Sequence, residues 1–269
     1  MVIALTPIRE GDLWSGSTWT VEDENALAGL LARVAIGQAR VAERILHEDG
    51  LVDINYPMGG YESARNLLKL GTSGDPAHRD GWMFQVISWI AAHRAGRPGM
   101  IRSPHMRHAD KGLDGLLVEF EDTEIARVVI SEEKATGNAR TMVRDRVWPE
   151  FQDFETGRRD AELVDGVSTL LAGAGHPNPD AVVAAILWTE KRAYRVAVTI
   201  DDTHASEKGL KALYKGYEAA VSGAIDRRRA EAFQVQNLRP WFENIAVRAT
   251  AIIDAEEAAI QCMTRERPI

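Results

Sequence analysis

Two carboxylates and a lysine stand at the ends of two apolar runs in the middle of this 269-residue chain. Asp114 opens the first run, Leu113–Phe120. Glu132 and Lys134 close the second run, Ile125–Ser131. The short polar segment between the runs predicts a hairpin, which would bring all three side chains to one end of two antiparallel strands. Carboxylate oxygens bind hard divalent cations, and a lysine beside them can orient water and offset phosphate charge.

The second run predicts which of these side chains share a face of the sheet. Side chains alternate along a strand, so Glu132 and Lys134 point to one face and Glu133 points to the other. Val128 and Ile130 lie on the same face as Glu132 and Lys134, which extends an apolar row with a carboxylate and an amine. Ionised groups in such a row require a partner or a function, because burying a lone charge is costly.

An aspartate on one strand followed by Glu-x-Lys at the end of the next resembles the PD-(D/E)xK superfamily of restriction-endonuclease-like nucleases. Leu113 stands where the family has proline. The resemblance implies that Asp114 and Glu132 bind Mg²⁺ or Mn²⁺, that the Glu133 carbonyl adds an oxygen, and that Lys134 positions the water. The alternative is a solvated strand end with an ordinary Glu/Lys pair.

A Trp-rich helix is predicted at Trp82–Arg94, ended by Gly96 and Pro98, with a short strand near Met100. In the nuclease superfamily a helix precedes the first strand and often contributes an acidic or amide residue to the site. The resemblance therefore implies a catalytic role for Gln85. The alternative is a polar residue that is hydrogen-bonded at the rim of the core.

The elements after the motif complete a recognisable order. The pattern predicts helices at Ala139–Trp148, interrupted by Pro149, at Asp160–Ala172 and at Asn178–Leu187, and then a strand at Tyr194–Ile200. Helix, three strands, helices and strand match the αβββαβ core of the superfamily. We therefore expect an α/β (α+β) fold with a mixed central sheet, a nuclease-like core over residues 80–202, and added helices at both ends.

The two flanking regions are both predicted to be helical and to pack with the core as one unit. Residues 1–79 contain a helix predicted at Thr20–Glu48, with Thr20 as its cap, and a short one at Tyr61–Lys69 within connecting loops. Residues 203–269 contain helices predicted at Ser206–Val221 and Pro240–Cys262. These helices could cover the core or bind a partner.

The formal charge of −8 opposes simple nucleic-acid binding, which normally depends on a basic surface. Basic residues nevertheless flank the motif in sequence, where a groove that follows phosphates would need them. The residues expected to contact nucleic acid are Arg102, His105, Arg107, His108, Lys111, Arg140 and Arg144. A third basic cluster, Arg227–Arg229, lies further along the chain.

Other kinds of site receive less support from the sequence. His105 and His108 have metal-ligand spacing, but without neighbouring cysteines a phosphate contact or a surface role is favoured over zinc. Asp201 and Asp202, after the last predicted strand, could add a metal ligand or simply end the strand. The chain has no Walker loop, dinucleotide fingerprint or Gly-x-Ser-x-Gly elbow. Cys262 is the single cysteine, and with no signal-peptide pattern it indicates a cytoplasmic protein.

Within the superfamily, the segment Lys111–Leu116 followed by Ser131–Lys134 resembles the nuclease-like HamA subunits of Hachiman antiphage defence. That resemblance implies a DNA-degrading effector that is restrained by, and works with, a helicase partner. The acidic charge is consistent with weak binding to naked DNA, because few phosphates can be neutralised. The alternative function is a catalytically silent nuclease-like subunit that binds DNA or holds a partner.

Overall fold

The computed structural model describes residues 1–48, 54, 56–71, 74–106, 112–121, 124–176, 182–184 and 189–265. Within these ranges the strands are β1 (Ile3–Glu10), β2 (Trp14–Val21), β3 (Gly99–Ile101), β4 (Gly115–Glu121), β5 (Glu124–Lys134), β6 (Arg192–Ile200) and β7 (Arg228–Gln234). They form one mixed sheet in the order β1-β2-β7-β6-β5-β4-β3. The pairs β1/β2, β3/β4 and β4/β5 are antiparallel, whereas β2/β7, β7/β6 and β6/β5 are parallel.

Helices lie on both faces of this sheet, so the fold is of the mixed α+β kind. The described helices are α1 (Glu24–Ala35), α2 (Ala39–His47), α3 (Tyr61–Leu68), α4 (Ala77–Arg94), α5 (Ala139–Met142), α6 (Trp148–Glu155), α7 (Asp160–Ala174), α8 (Glu207–Leu213), α9 (Tyr217–Ala220) and α10 (Leu238–Arg265). Among the residues that the structure describes, no helix is both long and apolar enough to cross a membrane.

The sheet separates two apolar cores. One core packs α1, α3, α4 and α10 against sheet residues such as Trp19 and Phe233. The other packs α6, α7 and α8 against Val128, Ile130 and Val196. Every residue of β6 is buried, as expected for a parallel strand that is covered on both faces. The motif-bearing hairpin β4/β5 is therefore held between two helical layers.

Several predicted elements are confirmed, and their order along the chain is as expected. Over residues 77–200 the chain runs α4, β3, β4, β5, the helices α5 to α7, and β6. The predicted helices at Tyr61–Lys69, Asp160–Ala172 and Pro240–Cys262 correspond to α3, α7 and α10. The helix predicted at Asn178–Leu187 falls outside the described residues except at 182–184.

The prediction of one helix over Thr20–Glu48 is wrong. Thr20 lies in β2, because residues 14–21 are rich in the Thr and Trp that favour strands. Helix α1 begins after Asp23, whose carboxylate accepts the backbone N–H groups of the first turn. The chain then breaks at Gly37, which has a φ of 89°, before α2 starts.

The expectation that residues 203–269 are entirely helical is also wrong, because they contain the central strand β7. The cluster Arg227–Arg229 is buried, and it does not form a solvated basic face. Arg228 donates to backbone carbonyls, including that of Val221 at 3.0 Å. Arg229 donates to both carboxylate oxygens of Glu119 on β4, at 2.6 and 2.7 Å. The side chains of Arg228 and Arg229 are therefore bound by groups inside the protein, and the ion pair of Arg229 with Glu119 crosses the sheet from β7 to β4.

Pro149 does not end its helix, contrary to the prediction. A π-helical turn, Val143–Val147, joins α5 to α6, and the N–H of Trp148 bonds to the Val143 carbonyl five residues earlier. Pro149 then occupies the start of α6, where a missing backbone donor costs little. The wider turn lets the helix continue through the proline.

Candidate active site

The structure brings together the three residues that the motif singled out. Gly115 pairs with Ser131 at the end of the β4/β5 hairpin, so Asp114 lies beside the last residues of β5. The Lys134 ammonium donates to Asp114 Oδ2 at 2.7 Å and to Glu132 Oε2 at 2.6 Å. Asp114, Glu132 and Lys134 are called the acid–lysine cluster below.

The acid–lysine cluster is buried on one side and open on the other. The Glu132 side chain is 2% exposed, because it continues the apolar row of β5 into the core beneath α6 and α7. The side chains of Asp114 and Lys134 are 18% and 21% exposed. A phosphate could therefore approach Asp114 and Lys134 while Glu132 stays shielded from water.

Gln85 lies against this cluster, as the resemblance implied. Its position on α4 lets the amide Nε2 donate to Asp114 Oδ1 at 3.1 Å. The other carboxylate oxygen of Asp114 accepts from Lys134 and, at 3.3 Å, from the backbone N–H of Glu133. Three donors thus fix the orientation of the Asp114 carboxylate.

The pKa values of Glu132 and Lys134 are shifted by burial and by the charges of their neighbours. Burial raises the pKa of Glu132 well above its ordinary value, and the negative charge of Asp114 raises it further. Burial alone would lower the pKa of Lys134, but the carboxylates of Glu132 and Asp114 outweigh it and raise that pKa. Lys134 is therefore a firmly protonated cation between two acids, one of which holds its proton to an unusually high pH.

Glu150 is a member of the site that the sequence did not indicate. It lies at the start of α6, and its hydrogen bond to Glu132 contributes to the raised pKa of the Glu132 carboxyl. Arg159, between α6 and α7, interacts electrostatically with both glutamates. No spacing rule pointed to Glu150, because the prediction ended the helix at Pro149, directly before it.

The Glu133 side chain points to the opposite face of the sheet, as the alternation of β5 predicts. Its Oε1 accepts from Ser88 at 3.0 Å, from Ser131 at 2.5 Å and from Arg195 at 3.3 Å. Burial and the nearby charge of Asp114 raise the pKa of Glu133. Within the described residues Glu133 Oε2 has no hydrogen-bond partner. The contribution of the Glu133 carbonyl to metal binding stays a prediction.

The predicted nucleic-acid contacts fall into four groups. Arg102 and His105 both contact the carbonyl of Leu113, which places them directly before Asp114. Arg140 donates to the carbonyls of Leu213 and Lys215 at 2.8 Å, so it also ties α5 to the end of α8. Arg144 is exposed and pairs with its neighbour Asp145. The remaining three, Arg107, His108 and Lys111, lie outside the described residues.

A cavity of about 220 Å³ lies at the carboxyl ends of the parallel strands β5, β6 and β7. It is lined by Thr136, which follows the acid–lysine cluster, and by Thr199 and Asp201. Clefts at this edge of a sheet commonly receive ligands. Asp202 accepts hydrogen bonds from Gln234 and Gln236, and Asp201 accepts the N–H of Thr203, so both acids have partners at the strand end.

The donor set of the acid–lysine cluster suits a hard divalent cation. Two carboxylates converge on the Lys134 ammonium, which offsets part of their negative charge as a bound cation would. A cavity of about 20 Å³ lined by Gln85, Asp114 and Glu133 has room for one water molecule. The cavity adds room for one water molecule beside Asp114, while the two carboxylates are the groups that could bind a cation.

Comparison of this chain with protein-family models, with curated proteins and with solved structures gave no match. The functional assignment therefore depends on the geometry and chemistry of the site.

Proposed function

We propose that this protein is a metal-dependent DNA nuclease that hydrolyses phosphodiester bonds. The observation that carries the proposal is the pair of Lys134 hydrogen bonds, 2.7 Å to Asp114 and 2.6 Å to Glu132, at the end of the β4/β5 hairpin. Two acids and a lysine in contact, partly open to solvent, are the groups that cation-assisted phosphodiester hydrolysis uses.

Asp114 and Glu132 would hold Mg²⁺ or Mn²⁺, with the Glu133 carbonyl as a further oxygen. When bound, the cation supplies positive charge to the phosphate and acidifies a water molecule. Gln85 and the Glu133 N–H keep Asp114 in one orientation, which pre-organises the site. Lys134 orients the attacking water and stabilises the negative charge that develops on the phosphate.

The proposed substrate and partner follow from charge and from the resemblance to Hachiman effector subunits. A chain with a formal charge of −8, whose Arg227–Arg229 cluster is buried, offers little counterion release on naked DNA. A helicase partner would supply the missing affinity together with unwound substrate. Its docking surface would be helices α8 to α10 of the C-terminal region or helices α1 and α2 of the N-terminal region.

Substitution of the two innermost groups of the cluster tests the catalytic proposal. Glu132→Ala and Lys134→Ala should each abolish plasmid cleavage in Mg²⁺ or Mn²⁺, with the helicase partner present. Matched controls are Glu124→Ala, at the exposed far end of β5, and Lys69→Ala, an exposed lysine directly after α3. Both controls should cleave like the wild type. Undiminished cleavage by both cluster variants would rule out this site.

A second candidate function is a catalytically silent subunit that binds DNA or holds a partner. The observation in its favour is that Lys134 already pairs with both carboxylates, which makes the cluster a self-sufficient ion network. Calorimetric titration with millimolar Mn²⁺ separates the two functions. A heat of Mn²⁺ binding that the wild type shows and Glu132→Ala does not show supports the nuclease. Absence of heat in the wild type, with unchanged partner binding by Glu132→Ala, supports the silent subunit.

A further inference from the structure

Two histidines and a glutamate meet on the sheet face opposite to Glu132, where α2 packs against α4. Glu43 and His47 lie one helical turn apart on α2, and His93 lies in the last turn of α4. One ligand atom from each residue falls within 4.8 Å of the other two. This Glu–His–His cluster takes no part in the proposed hydrolysis.

Helix geometry and core packing bring the three side chains of this cluster together. Residues four apart on a helix share a face, so Glu43 and His47 project together towards α4. The His93 ring is buried and meets the Trp89 ring edge to face, with their centroids 4.4 Å apart. One ligand is thus held rigidly by the core, and the other two come from an exposed helix.

The two imidazoles approach each other through ring nitrogens. His47 Nε2 and His93 Nδ1 are 3.0 Å apart, a distance that a single N–H···N hydrogen bond explains. Two imidazole nitrogens that bind one zinc ion at about 2.0–2.1 Å lie roughly 3.3 Å apart in tetrahedral geometry. Conversion of the hydrogen-bonded pair into a pair of metal ligands therefore needs the nitrogens to separate by a few tenths of an ångström and the rings to turn until both lone pairs face one ion.

The two ring nitrogens of His93 have different surroundings. Nδ1 faces His47 Nε2, and within the described part of the chain Nε2 has no hydrogen-bond partner. Nδ1 is therefore the nitrogen that would bind an ion shared with His47.

We propose that Glu43, His47 and His93 form a transition-metal site of the zinc class, with water as the fourth ligand. Two imidazoles and one carboxylate favour Zn²⁺ over Mg²⁺, because nitrogen donors suit the softer ion. The site is separate from the acid–lysine cluster, whose ligands are all oxygens. It would bind metal whether or not the nuclease proposal holds.

The metal would fasten α2 to the core. Of the nine described residues of α2, Ala42 is the one that is buried, so apolar packing holds this helix weakly. Helix α4 carries both His93 and Gln85, which are eight residues or about 12 Å apart along the helix. A bound ion would therefore link the exposed α2 to the helix that orients Asp114.

Cobalt provides a spectroscopic test, because four-coordinate Co²⁺ with nitrogen ligands has intense visible absorption bands. The full chain should carry Cys262→Ser, since the exposed thiol could bind cobalt itself. Titration is done with excess Mg²⁺, which occupies oxygen-only sites. We expect one equivalent of Co²⁺ to produce these bands and Zn²⁺ to displace it.

Substitutions on the exposed helix α2 test the proposed metal site without disturbing the core. His47→Ala should weaken Co²⁺ binding by about 100-fold or more, and Glu43→Gln should weaken it measurably. His78→Ala, an exposed histidine at the other end of α4, is the matched control and should bind like the parent. Circular dichroism verifies that each variant is folded. No visible bands in the parent, or equal binding by His47→Ala, would show that the histidines are only hydrogen-bonded.

Discussion

Replacement of Glu132 by glutamine should stabilise the protein in the absence of divalent cations, although it removes a proposed catalytic group. The side chain is buried, and burial and the Asp114 charge raise its pKa, so ionised Glu132 is disfavoured in the fold. Glutamine has nearly the same shape. Its amide oxygen can accept from Lys134, and its amide N–H can donate to Glu150. Lys134 also keeps its 2.7 Å bond to Asp114.

The expected gain in the free energy of unfolding follows from the difference in the Glu132 pKa between the folded and unfolded states. Each unit by which the fold raises the pKa of a carboxyl is worth about 1.4 kcal/mol against folding once the group is ionised. Weakening of the Lys134 ion pair offsets part of the gain. We expect Glu132→Gln to raise the free energy of unfolding by about 1 kcal/mol, which is about 2–4 °C in Tm for a chain of this size.

The stability advantage of Glu132→Gln over the wild type should increase as the pH rises. Below the ordinary carboxyl pKa of 4.5, Glu132 is protonated in both folded and unfolded states, and the two proteins should differ little. As pH rises from 4.5 through the raised folded-state pKa, the wild type loses the stability associated with protonated Glu132. Glutamine does not titrate, so the advantage of the variant should grow across this window.

Thermal unfolding from pH 4 to pH 8, with and without Mg²⁺, measures both effects. Saturating Mg²⁺ should stabilise the wild type and leave the variant unchanged, because a ligand that binds the folded state raises its stability. A variant that is less stable at every pH, or a difference that does not change with pH, would refute the argument about buried charge.

Three further predictions concern other contacts. Arg229→Leu should lower the free energy of unfolding by about 3 kcal/mol in urea, because buried Glu119 loses its bidentate partner and keeps only the longer ion pair with Arg97, at 3.8 Å, and a second change, Glu119→Leu, should recover most of the loss. Gly16→Ala should reduce Tm sharply, since an added Cβ would lie 1.8 Å from the Ala230 carbonyl oxygen, and an unchanged melting curve would contradict this close strand pairing. Gln85→Ala should reduce Mg²⁺-dependent cleavage about 10–100-fold with little change in Tm, as measured by single-turnover assays, because Asp114 loses a donor that orients it.

The sequence specified the centre of the proposed site because its geometry depends on short-range rules. A hairpin brings the start of β4 beside the end of β5, and strand alternation separates Glu132 and Lys134 from Glu133. Those two rules alone place the Lys134 ammonium near both acids. Gln85 came from the order of elements and from the resemblance, and it lies where a helix before the first strand was expected to contribute.

Tertiary structure decided what distant parts of the chain contribute. Strand β7 was missed because Arg228 and Arg229 resemble an exposed basic cluster, and partners such as Glu119, more than a hundred residues away, are what allow those arginines to be buried. The hairpin β1/β2 joins the sheet through parallel pairing with β7, a contact that local propensity does not reveal.

The contacts of Glu150 and His93 also could not be predicted from the sequence, because they depend on how distant elements pack. Glu150 approaches Glu132 because a π-helical turn carries the helix past Pro149, and His93 meets His47 because α2 packs on α4. Periodicity along the chain determines which face a residue occupies. Packing of one element on another determines what that face meets, since the free energy of such contacts comes from residues far apart in sequence.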